Sequence, residues 1–495
     1  MRTAIKWAAF LTLAITAYGR QEYTRNFDKT VTLAAGQSVR LEHKLGNVAI
    51  RTHAKPEVVV HASIRVSAGN DADAKRLADA IRIEVAPAGS ALIVRTEYPK
   101  EEERGGFLGF RNVSYSVNYD VTVPETAPLE VRNSFGSVSV DDLKAGATVT
   151  NSHGKVSFHN GRGIQRLENS FAAVEVTGNT GDVTIRNNNG AVDVTNVNGV
   201  VNVKNRFASV TVTNPGGGAA IVNGNGAVQV TDAGGDVRID NSFGRVTASS
   251  VKGNLTVTNS NGEVEANGVT GSADLNTSFG TVRFGDIGRQ LTVRATNSPV
   301  KGRKVGDSAA IENSFGAVDV ADIRKGLRIV GGNSSVTLAD IGAEAFVKTS
   351  FGLVTADRVG GVLTVEDSNG AVKAAAIRGG VNVKTSFGAV LLDGVAGSVA
   401  VENQNGGVDV ALEGSQCRPV ELRTSFSAVR IRVPDHASYA VAAKTSFGKI
   451  RSDFPLTVSG EVSADSLNGS IGSGGCPMRL TNNNGSIEIL KTGKS

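Results

Sequence analysis

From position 135 to position 405, every eighteenth residue of the chain is alternately Phe and Asn, with His in place of Asn at one position. The slot is occupied in turn by Phe135, His153, Phe171, Asn189, Phe207, Asn225, Phe243, Asn261, Phe279, Asn297, Phe315, Asn333, Phe351, Asn369, Phe387 and Asn405. A Val follows three residues after every slot, and Asn or Thr mostly precedes the slot by two residues. Spacing that holds without insertion over this length predicts an array of stacked, equivalent repeats.

Each repeat has the alternation of β-strands. In the segment VNVKTSF (Val381–Phe387), every second residue shares one side of an extended chain. Gly388 permits a corner, after which Val390 and Leu392 continue the apolar series with the opposite parity. The pattern predicts two short strands per repeat, joined by turns that contain Gly. Aromatic residues make up only 5% of the chain, so the core must consist mainly of Val, Ile, Leu and Ala.

One such repeat cannot bury its own apolar face, whereas stacked repeats bury it and pair each strand with its successor. We therefore predict an all-β fold, a single-stranded parallel β-helix (β-solenoid) with about 18 residues per coil. A coil of two repeats, with Phe and Asn at opposite corners, also fits the alternation. The Val and Asn series ignore the alternation and favour the shorter coil. The hexapeptide rhythm of left-handed coils is missing, which favours a right-handed helix.

The alternating slot is predicted to be a structural corner ladder. We expect Phe to point inward and to fill the corner with apolar bulk, and Asn to satisfy backbone groups of the turn. His153 occupies the same slot and is expected to fill the corner in the same way. The uninterrupted Asn residues two positions earlier, from Asn133 to Asn259, predict a second ladder of buried amides. Buried amides are acceptable only if they bond to one another or to the backbone.

The period divides the chain into four parts. Residues 1–19 precede the folded region, residues 20–130 are predicted to form a β-rich capping region, residues 131–490 the solenoid, and residues 491–495 a tail. The capping region should contain one helix, Asn70–Ile81, with Asn70 as its N-cap, and an exposed loop at Glu101–Gly106. Beyond position 405 the step changes, and we expect the slot to continue through Phe426, Phe447, Asn468 and Asn484.

The first residues have the pattern of a secretory signal. Arg2 and Lys6 precede an apolar run that ends at Ala17, and Gly19 follows at the spacing of a cleavage site. The run is too short for a stable bilayer-spanning anchor, although an uncleaved membrane tether is the alternative interpretation. No later segment contains 18 consecutive apolar residues. We expect an exported protein of the periplasm, cell surface or extracellular space, without an integral membrane span after cleavage.

The two cysteines, Cys417 and Cys476, could form a disulfide in an oxidising compartment if the fold brings their Cα atoms close enough. The sequence leaves this pairing open, because the two residues lie far apart in the chain.

A search for catalytic or metal-binding groups gives only weak candidates. Paired carboxylates on neighbouring coils could support glycoside hydrolysis. The recurring acidic residues that are candidates for this role are Asp319, Asp322, Asp340, Asp357 and Asp367. Their places in turns or between inward Val residues favour a solvated face. His153 and His159 are close in sequence, but no Cys or close-set carboxylate completes a metal site with them. His43, His53 and His61 lie on segments with strand-like alternation and could cluster, which makes them a weak candidate metal site. We predict no catalytic, cofactor-binding or metal-binding residues. The net charge of +5 is spread out, which argues against a nucleic-acid partner.

The exported opening, the segment YDVTVPETAPLEVRNSFGSVSV (Tyr119–Val140), the recurring NSFG and NSNG turns, and the closing TNNNGSIEIL (Thr481–Leu490) resemble the bacterial putative-adhesin β-solenoid family of unknown function, which is related to autotransporter-adhesin head domains. The resemblance implies a β-helical fold and a cell-envelope location, and it supplies no catalytic residues. We expect a non-enzymatic, adhesin-like protein with an extended surface for glycans or for envelope or surface proteins. The alternatives are a polysaccharide-active enzyme and a purely structural envelope spacer.

Overall fold

The computed structural model describes residues 21–99, 113–459, 463 and 465–492. The predicted signal at 1–19, the loop at 101–106 and residues 493–495 of the tail lie outside these ranges. The protein is nearly all β, with 65% of residues in strands and 2% in helix, and it forms a parallel β-solenoid with about 18 residues per turn. Val183 pairs with Val201 and Asn187 with Asn205. The coil therefore has 18 residues, and the alternative of a double-length coil is wrong.

The chain divides into two compact units, Met1–Glu175 and Val176–Ser495. In unit 1, sheet A contains β1 (Gln21–Thr32), β3 (Val48–His53), β4 (Glu57–Ala68), β7 (Ser114–Pro124), β9 (Val138–Asp141) and β11 (Val156–Arg162). Sheet B contains β2 (Ser38–Glu42), β5 (Arg82–Ala88), β6 (Ala91–Glu97), β8 (Leu129–Arg132), β10 (Ala147–Thr150) and β12 (Gln165–Phe171). The next strand, β13 (Val174–Thr180), includes the boundary between the units.

Unit 1 contains a coil that the period did not reveal. Strands β2 and β3 stack in parallel register on β8 and β9, with Leu41 opposite Val131 and Val48 opposite Val138. Leu45 bridges to Phe135 and thus occupies the alternating slot. The long insertion between these two coils hides the equivalence of Leu45-Gly46 and Phe135-Gly136 in the sequence.

The insertion between these two coils covers the side of β2 and β3 that faces away from β8 and β9. Strands β6 and β7 pair in parallel with β2 and β3. Beyond them, β5 pairs with β6, β4 with β7, and β1 with β4, all antiparallel. Covering an open parallel edge with antiparallel hairpins limits strand addition by another chain.

The predicted helix is confirmed as α1 (Asp71–Ala80), with Asn70 as N-cap. The Asn70 side chain accepts a hydrogen bond from the Asp73 amide at 2.8 Å, and Ala74, Leu77 and Ala78 are buried. Arg25 of β1 donates to the Ala78 carbonyl at 2.9 Å, which fixes the end of the helix against the hairpin.

Unit 2 is built from two sheets, which are parallel apart from β45 (Ser466–Ile471). Sheet A contains β15 (Val192–Val197), β17 (Val210–Pro215), β19 (Val228–Thr231), β21 (Val246–Val251), β23 (Val264–Val269), β25 (Val282–Ile287), β27 (Val300–Val305), β29 (Val318–Ile323), β31 (Val336–Ile341), β33 (Val354–Val359), β35 (Val372–Ile377), β37 (Val390–Val395), β39 (Val408–Leu412), β41 (Val429–Val433), β43 (Ile450–Ser452) and β47 (Ile487–Lys491). Sheet B contains β14 (Val183–Asn189), β16 (Val201–Phe207), β18 (Ala219–Asn225), β20 (Val237–Phe243), β22 (Leu255–Asn261), β24 (Ala273–Phe279), β26 (Leu291–Asn297), β28 (Ala309–Phe315), β30 (Leu327–Asn333), β32 (Ala345–Thr349), β34 (Leu363–Asp367), β36 (Val381–Lys384), β38 (Val399–Glu402), β40 (Val420–Phe426), β42 (Tyr439–Lys444), β44 (Leu456–Val458), β45 (Ser466–Ile471) and β46 (Cys476–Asn484).

The core lies between the two sheets of each coil. The inward residues of one representative coil are Ala309, Ile311, Asn313, Val318, Val320 and Ile323, all with 3% exposure or less. Neighbouring coils repeat these positions in register, so each apolar side chain packs between equivalents about 4.8 Å above and below it.

A left-handed residue closes sheet A of most coils. From Asp142 to Gly394 the residue seven positions after the slot has positive φ, as in Asp286 (52°), Asp322 (58°) and Asp340 (55°). It adds one residue to the strand, so that the next side chain, such as Ile323, turns back into the core. Asn, Asp and Gly dominate this column because they tolerate the left-handed region best.

The C-terminal coils are not in chain order. Strands β46 and β47 pair in parallel with β40 and β41 on one side and with β42 and β43 on the other. Strand β45 pairs antiparallel with β42 and β44. The prediction that Asn468 occupies the slot is therefore wrong, because Asn468 lies in the antiparallel strand β45. The period alone could not show that the last strands insert between two earlier coils.

Candidate binding surface

The slot residues of unit 2 form one continuous column, here called the aromatic ladder. Parallel register places Phe207 beside Asn225, Asn225 beside Phe243, and so on along sheet B. In spatial order the members are Asn189, Phe207, Asn225, Phe243, Asn261, Phe279, Asn297, Phe315, Asn333, Phe351, Asn369, Phe387, Asn405, Phe426, Asn484 and Phe447. Each Phe is thus separated from the next by one Asn.

The Phe side chains of the ladder face solvent. Phe243 and Phe279 are each 51% exposed, and Phe447 is 78% exposed. The expectation that they point inward and fill the corner is wrong for every Phe of the slot, including Phe135 and Phe171 of unit 1, and it is wrong for His153, which is also exposed. These rings therefore add exposed apolar surface to the protein and are not part of its core.

The buried amide ladder, in which Thr replaces Asn at 277, 349, 385, 424 and 445, explains why the Phe residues point outward. Asn259, two residues before its slot, donates from Nδ2 to the carbonyl of Gly262 at 3.1 Å and to that of Gly244 in the preceding coil at 3.0 Å. Asn241 also donates to Oδ1 of Asn259 at 3.2 Å. The chain bends around the amide, which fills the corner, so the slot residue lies on the outside of the bend. The prediction of a hydrogen-bonded ladder of buried amides is confirmed.

Most bends have glycine after the slot, and Ala or Ser takes this place in the other coils. Gly316 has φ of +116°, and a Cβ there would lie 2.8 Å from the carbonyl carbon of Ser298 in the preceding coil. A side chain at this position would combine backbone strain with a clash. The glycine therefore keeps the coils in close register beneath the exposed rings.

Small uncharged residues border much of the ladder. The residue before the slot is Ser at 242, 278, 314, 350 and 386, and a Gly follows at 244, 280, 316, 352 and 388. Near Phe243 and Phe279 the bordering charges are paired, because Arg245 and Arg283 both bind Glu263 at 2.5 and 2.6 Å. The rings therefore stand on a strip with small side chains and little net charge.

Unit 1 shows what happens when a ring replaces Asn in the slot. His153 lies between Phe135 and Phe171, at centroid distances of 4.5 and 4.6 Å and interplanar angles of 15° and 16°. These separations are close to the strand spacing. The space between two alternate Phe residues of the slot therefore accommodates a flat ring stacked on both.

A charged groove follows the left-handed column of unit 2. Its cavity of about 710 Å³ is lined by Asp322, Arg324, Asp340, Arg358, Arg378 and Glu413, among others. Arg358 donates to both carboxylate oxygens of Asp340, at 2.5 and 2.8 Å, and also pairs with Asp357. The hydrogen bond from Arg358 lowers the pKa of Asp340. A carboxyl that acts as a general acid needs a raised pKa, so that it holds a proton near neutral pH. The pairing with Arg358 instead keeps Asp340 ionised, which does not suit that role.

Three of the five acids considered in the sequence, Asp322, Asp340 and Asp357, lie near Arg358. Asp319 is an exposed residue of β29, Asp322 and Asp340 line the groove, and Asp357 pairs with Arg358. Asp367 is buried in the amide ladder, where burial raises its pKa.

The three N-terminal histidines of unit 1 have separate environments. His43 is buried beside Thr96 and Tyr119, and burial lowers its pKa to about 4. His53 contacts the Glu57 carbonyl at 2.7 Å, and His61 pairs with Asp28. Within the described ranges, no group of three His, Cys, Asp or Glu side chains is arranged to hold a metal ion.

Cys417 and Cys476 form a disulfide, with their Cα atoms 5.7 Å apart. Cys476 begins β46, so the bond attaches the inserted C-terminal strands to the loop before β40.

No protein-family model matches the chain, and no curated protein matches it. Among solved structures, one match is the crystal structure of a putative cell adhesion protein from Clostridium sporogenes, with 8% sequence identity, 95% of this chain and 100% of that chain covered, and a TM-score of 0.15. A TM-score this low carries no argument about function. Within the described residues, no helix has the length and apolar character needed to cross a bilayer.

Proposed function

We propose that this protein is an exported, non-enzymatic, adhesin-like component of the cell envelope or the secreted fraction, and that it binds through the aromatic ladder. The observation that carries the proposal is the repeated exposure of Phe at one slot of unit 2. Isolated exposed apolar residues are ordinary, but exposed aromatic rings that recur at every second coil along one column form a regular surface that suits a partner.

The ladder suits binding by many equivalent contacts. Each Phe is held by a coil whose corner contains a buried Asn or Thr and, in most coils, a glycine, so little ordering is needed when a partner binds. Repetition of one contact along the column would multiply weak individual affinities into a strong overall affinity.

The test compares the full chain with the variant F243N/F279N/F315N/F351N. Asn already occupies the alternate slots, so the replacements preserve a side chain that this corner accepts. Purified protein is added to isolated envelopes and to whole cells, and bound protein is measured against concentration. We expect saturable binding for the native chain and an affinity at least about tenfold lower for the variant.

A matched control removes exposed apolar residues elsewhere. Val200, Val222, Val362 and Leu391 are exposed outside the slot, and their replacement by Asn should leave binding unchanged. Export is tested by fractionating cells that express the chain with and without residues 1–19. Retention of the native chain in the cytoplasm, or equal binding by all three proteins, would refute the proposal.

A further inference from the structure

We propose that the partner of the aromatic ladder is the aromatic ladder of a second copy of this chain, with the Phe residues of each copy lying over the Asn residues of the other. The inference rests on the proposed function in one respect, namely that the ladder is the binding surface. It adds the identity of the partner and therefore makes the binding homophilic.

The spacing of the ladder is self-complementary. Successive Phe residues are two coils apart, which is about 9.6 Å at a strand spacing of about 4.8 Å. When two such columns are offset by one coil, their rings alternate about every 4.8 Å, within the range of favourable aromatic pairs. A second copy has this spacing by identity, whereas an unrelated partner would have to match it.

His153 provides the internal precedent for a ring in this space. Its imidazole lies between Phe135 and Phe171 and stacks on both at 4.5 and 4.6 Å. In unit 2 the corresponding positions hold Asn, which is shorter than either ring. The outer part of the space between two Phe residues is thus open to a ring from outside.

The border of the ladder permits close approach. Ser and Gly on either side of Phe279, Phe315 and Phe351 are too small to hold a second strip away. Glu263 binds both Arg245 and Arg283, which reduces the charge of this group to +1 in each copy.

The arrangement that brings the most rings into contact is a two-fold pair with the columns antiparallel. Phe315 of each copy then lies over Asn333 of the other, and Phe279 lies over Asn369. Such an isologous contact closes on itself and produces a dimer.

Sedimentation velocity of the full chain over a wide concentration range tests the inference. We expect a monomer–dimer equilibrium for the native chain. In F243N/F279N/F315N/F351N the dimer dissociation constant should rise by about 100-fold or more, because several central rings are lost together. The control V200N/V222N/V362N/L391N should dimerise like the native chain.

A second variant fills the spaces while retaining every Phe. In N261H/N297H/N333H each new imidazole would occupy the place that His153 occupies in unit 1, so we expect the dimer to weaken although the rings remain exposed. The measurement is made well above the ordinary pKa of His, so that no charge is added. Circular dichroism and thermal unfolding establish that each variant is folded.

Three results would overturn the inference: a native chain that stays monomeric at every concentration, a Phe-to-Asn variant that dimerises normally, or a His-filled variant that dimerises as well as or better than the native chain. Binding of a monomeric native chain to envelopes would overturn this inference and leave the proposed function standing. Dimerisation without envelope binding would support the inference and count against the wider function.

Discussion

Phe426 pairs with Asn484 in the parallel register of neighbouring coils, although residues 427–483 separate them in the chain. The chain first forms β42 and then returns with β46 to lie between β40 and β42. The order in space at this end is Phe387, Asn405, Phe426, Asn484 and Phe447, and it still alternates. The alternation therefore follows the stacking of the coils, and the distance along the sequence does not determine it.

The disulfide should stabilise this out-of-order end. Replacing both Cys417 and Cys476 by Ser releases a link across a sequence separation of 59 residues, and we expect a loss of about 2–4 kcal/mol in the free energy of unfolding of this region. Denaturant unfolding with and without reductant measures it. Reductant should destabilise the native chain but leave the double variant unchanged, and equal stability of both oxidised proteins would contradict the prediction.

Asp367 occupies a position of the amide ladder, and its replacement by Asn should stabilise the protein at neutral pH by about 1–2 kcal/mol. Asn313 in the equivalent place donates to the Gly316 carbonyl at 2.9 Å, which a carboxylate cannot do. Among the described residues, Oδ2 of Asp367 is buried without a hydrogen-bond partner. Thermal unfolding of D367N against D319N, which changes an exposed acid, separates the burial effect from the loss of charge.

The effect of Asp367 should depend on pH in a defined direction. Burial raises the pKa of Asp367, so the folded state favours the protonated carboxyl. The stability that protonation provides is complete below the ordinary pKa and is lost as pH rises through the raised value. The advantage of D367N should thus be largest at neutral pH and shrink in acid, and an advantage that grows in acid would be inconsistent with this account.

His43 should make unit 1 sensitive to mild acid. Burial lowers the pKa of His43 to about 4 from 6.5, so the folded state holds the neutral imidazole. The stability associated with this neutral form is complete above 6.5 and is lost as pH falls toward 4, by up to about 3 kcal/mol. In H43Q the decline over this interval should be shallower. Parallel stability curves for the two proteins, measured by denaturant unfolding, would refute the assignment.

The left-handed column predicts a stabilising substitution. Ala376 has φ of 53°, where Asp340 and Asp322 stand in equivalent coils. A residue other than Gly, Asn or Asp in this region costs about 1–2 kcal/mol, so A376N should raise the stability by about 1 kcal/mol. The neighbouring A375N, in an ordinary strand conformation, is the control and should give no gain. Thermal unfolding measures both, and a gain in the control alone would reverse the conclusion.

Much of the fold follows from the period. The Val series, the coil length of 18 and the buried amides at positions such as Asn241 could be predicted, because stacked coils require equivalent residues to recur at one spacing. The helix at Asp71–Ala80 could be predicted from its capping residue Asn70.

The candidate site could be located but not oriented. Extending the alternation of Ala309, Ile311 and Asn313 by one step assigns Phe315 to the core, but the bend around Asn313 places Phe315 outside. The alternation of inward and outward side chains holds only while the strand stays extended. The hydrogen bond from the Asn313 side chain to the Gly316 carbonyl bends the chain at this point, and the alternation ends there. The coil at Leu45 was hidden for a different reason, since the insertion that follows it interrupts the period.

The uniform coil also has a consequence for how such a chain can change in length. From Val183 to Glu402 each coil pairs with the next at the same offset. A gene duplication that copies two whole coils would add a Phe and an Asn and leave every remaining neighbour relationship intact. Copying a single coil would instead place two Phe or two Asn residues next to each other in the aromatic ladder. Growth of the array by pairs is therefore the evolutionary step that this architecture tolerates best.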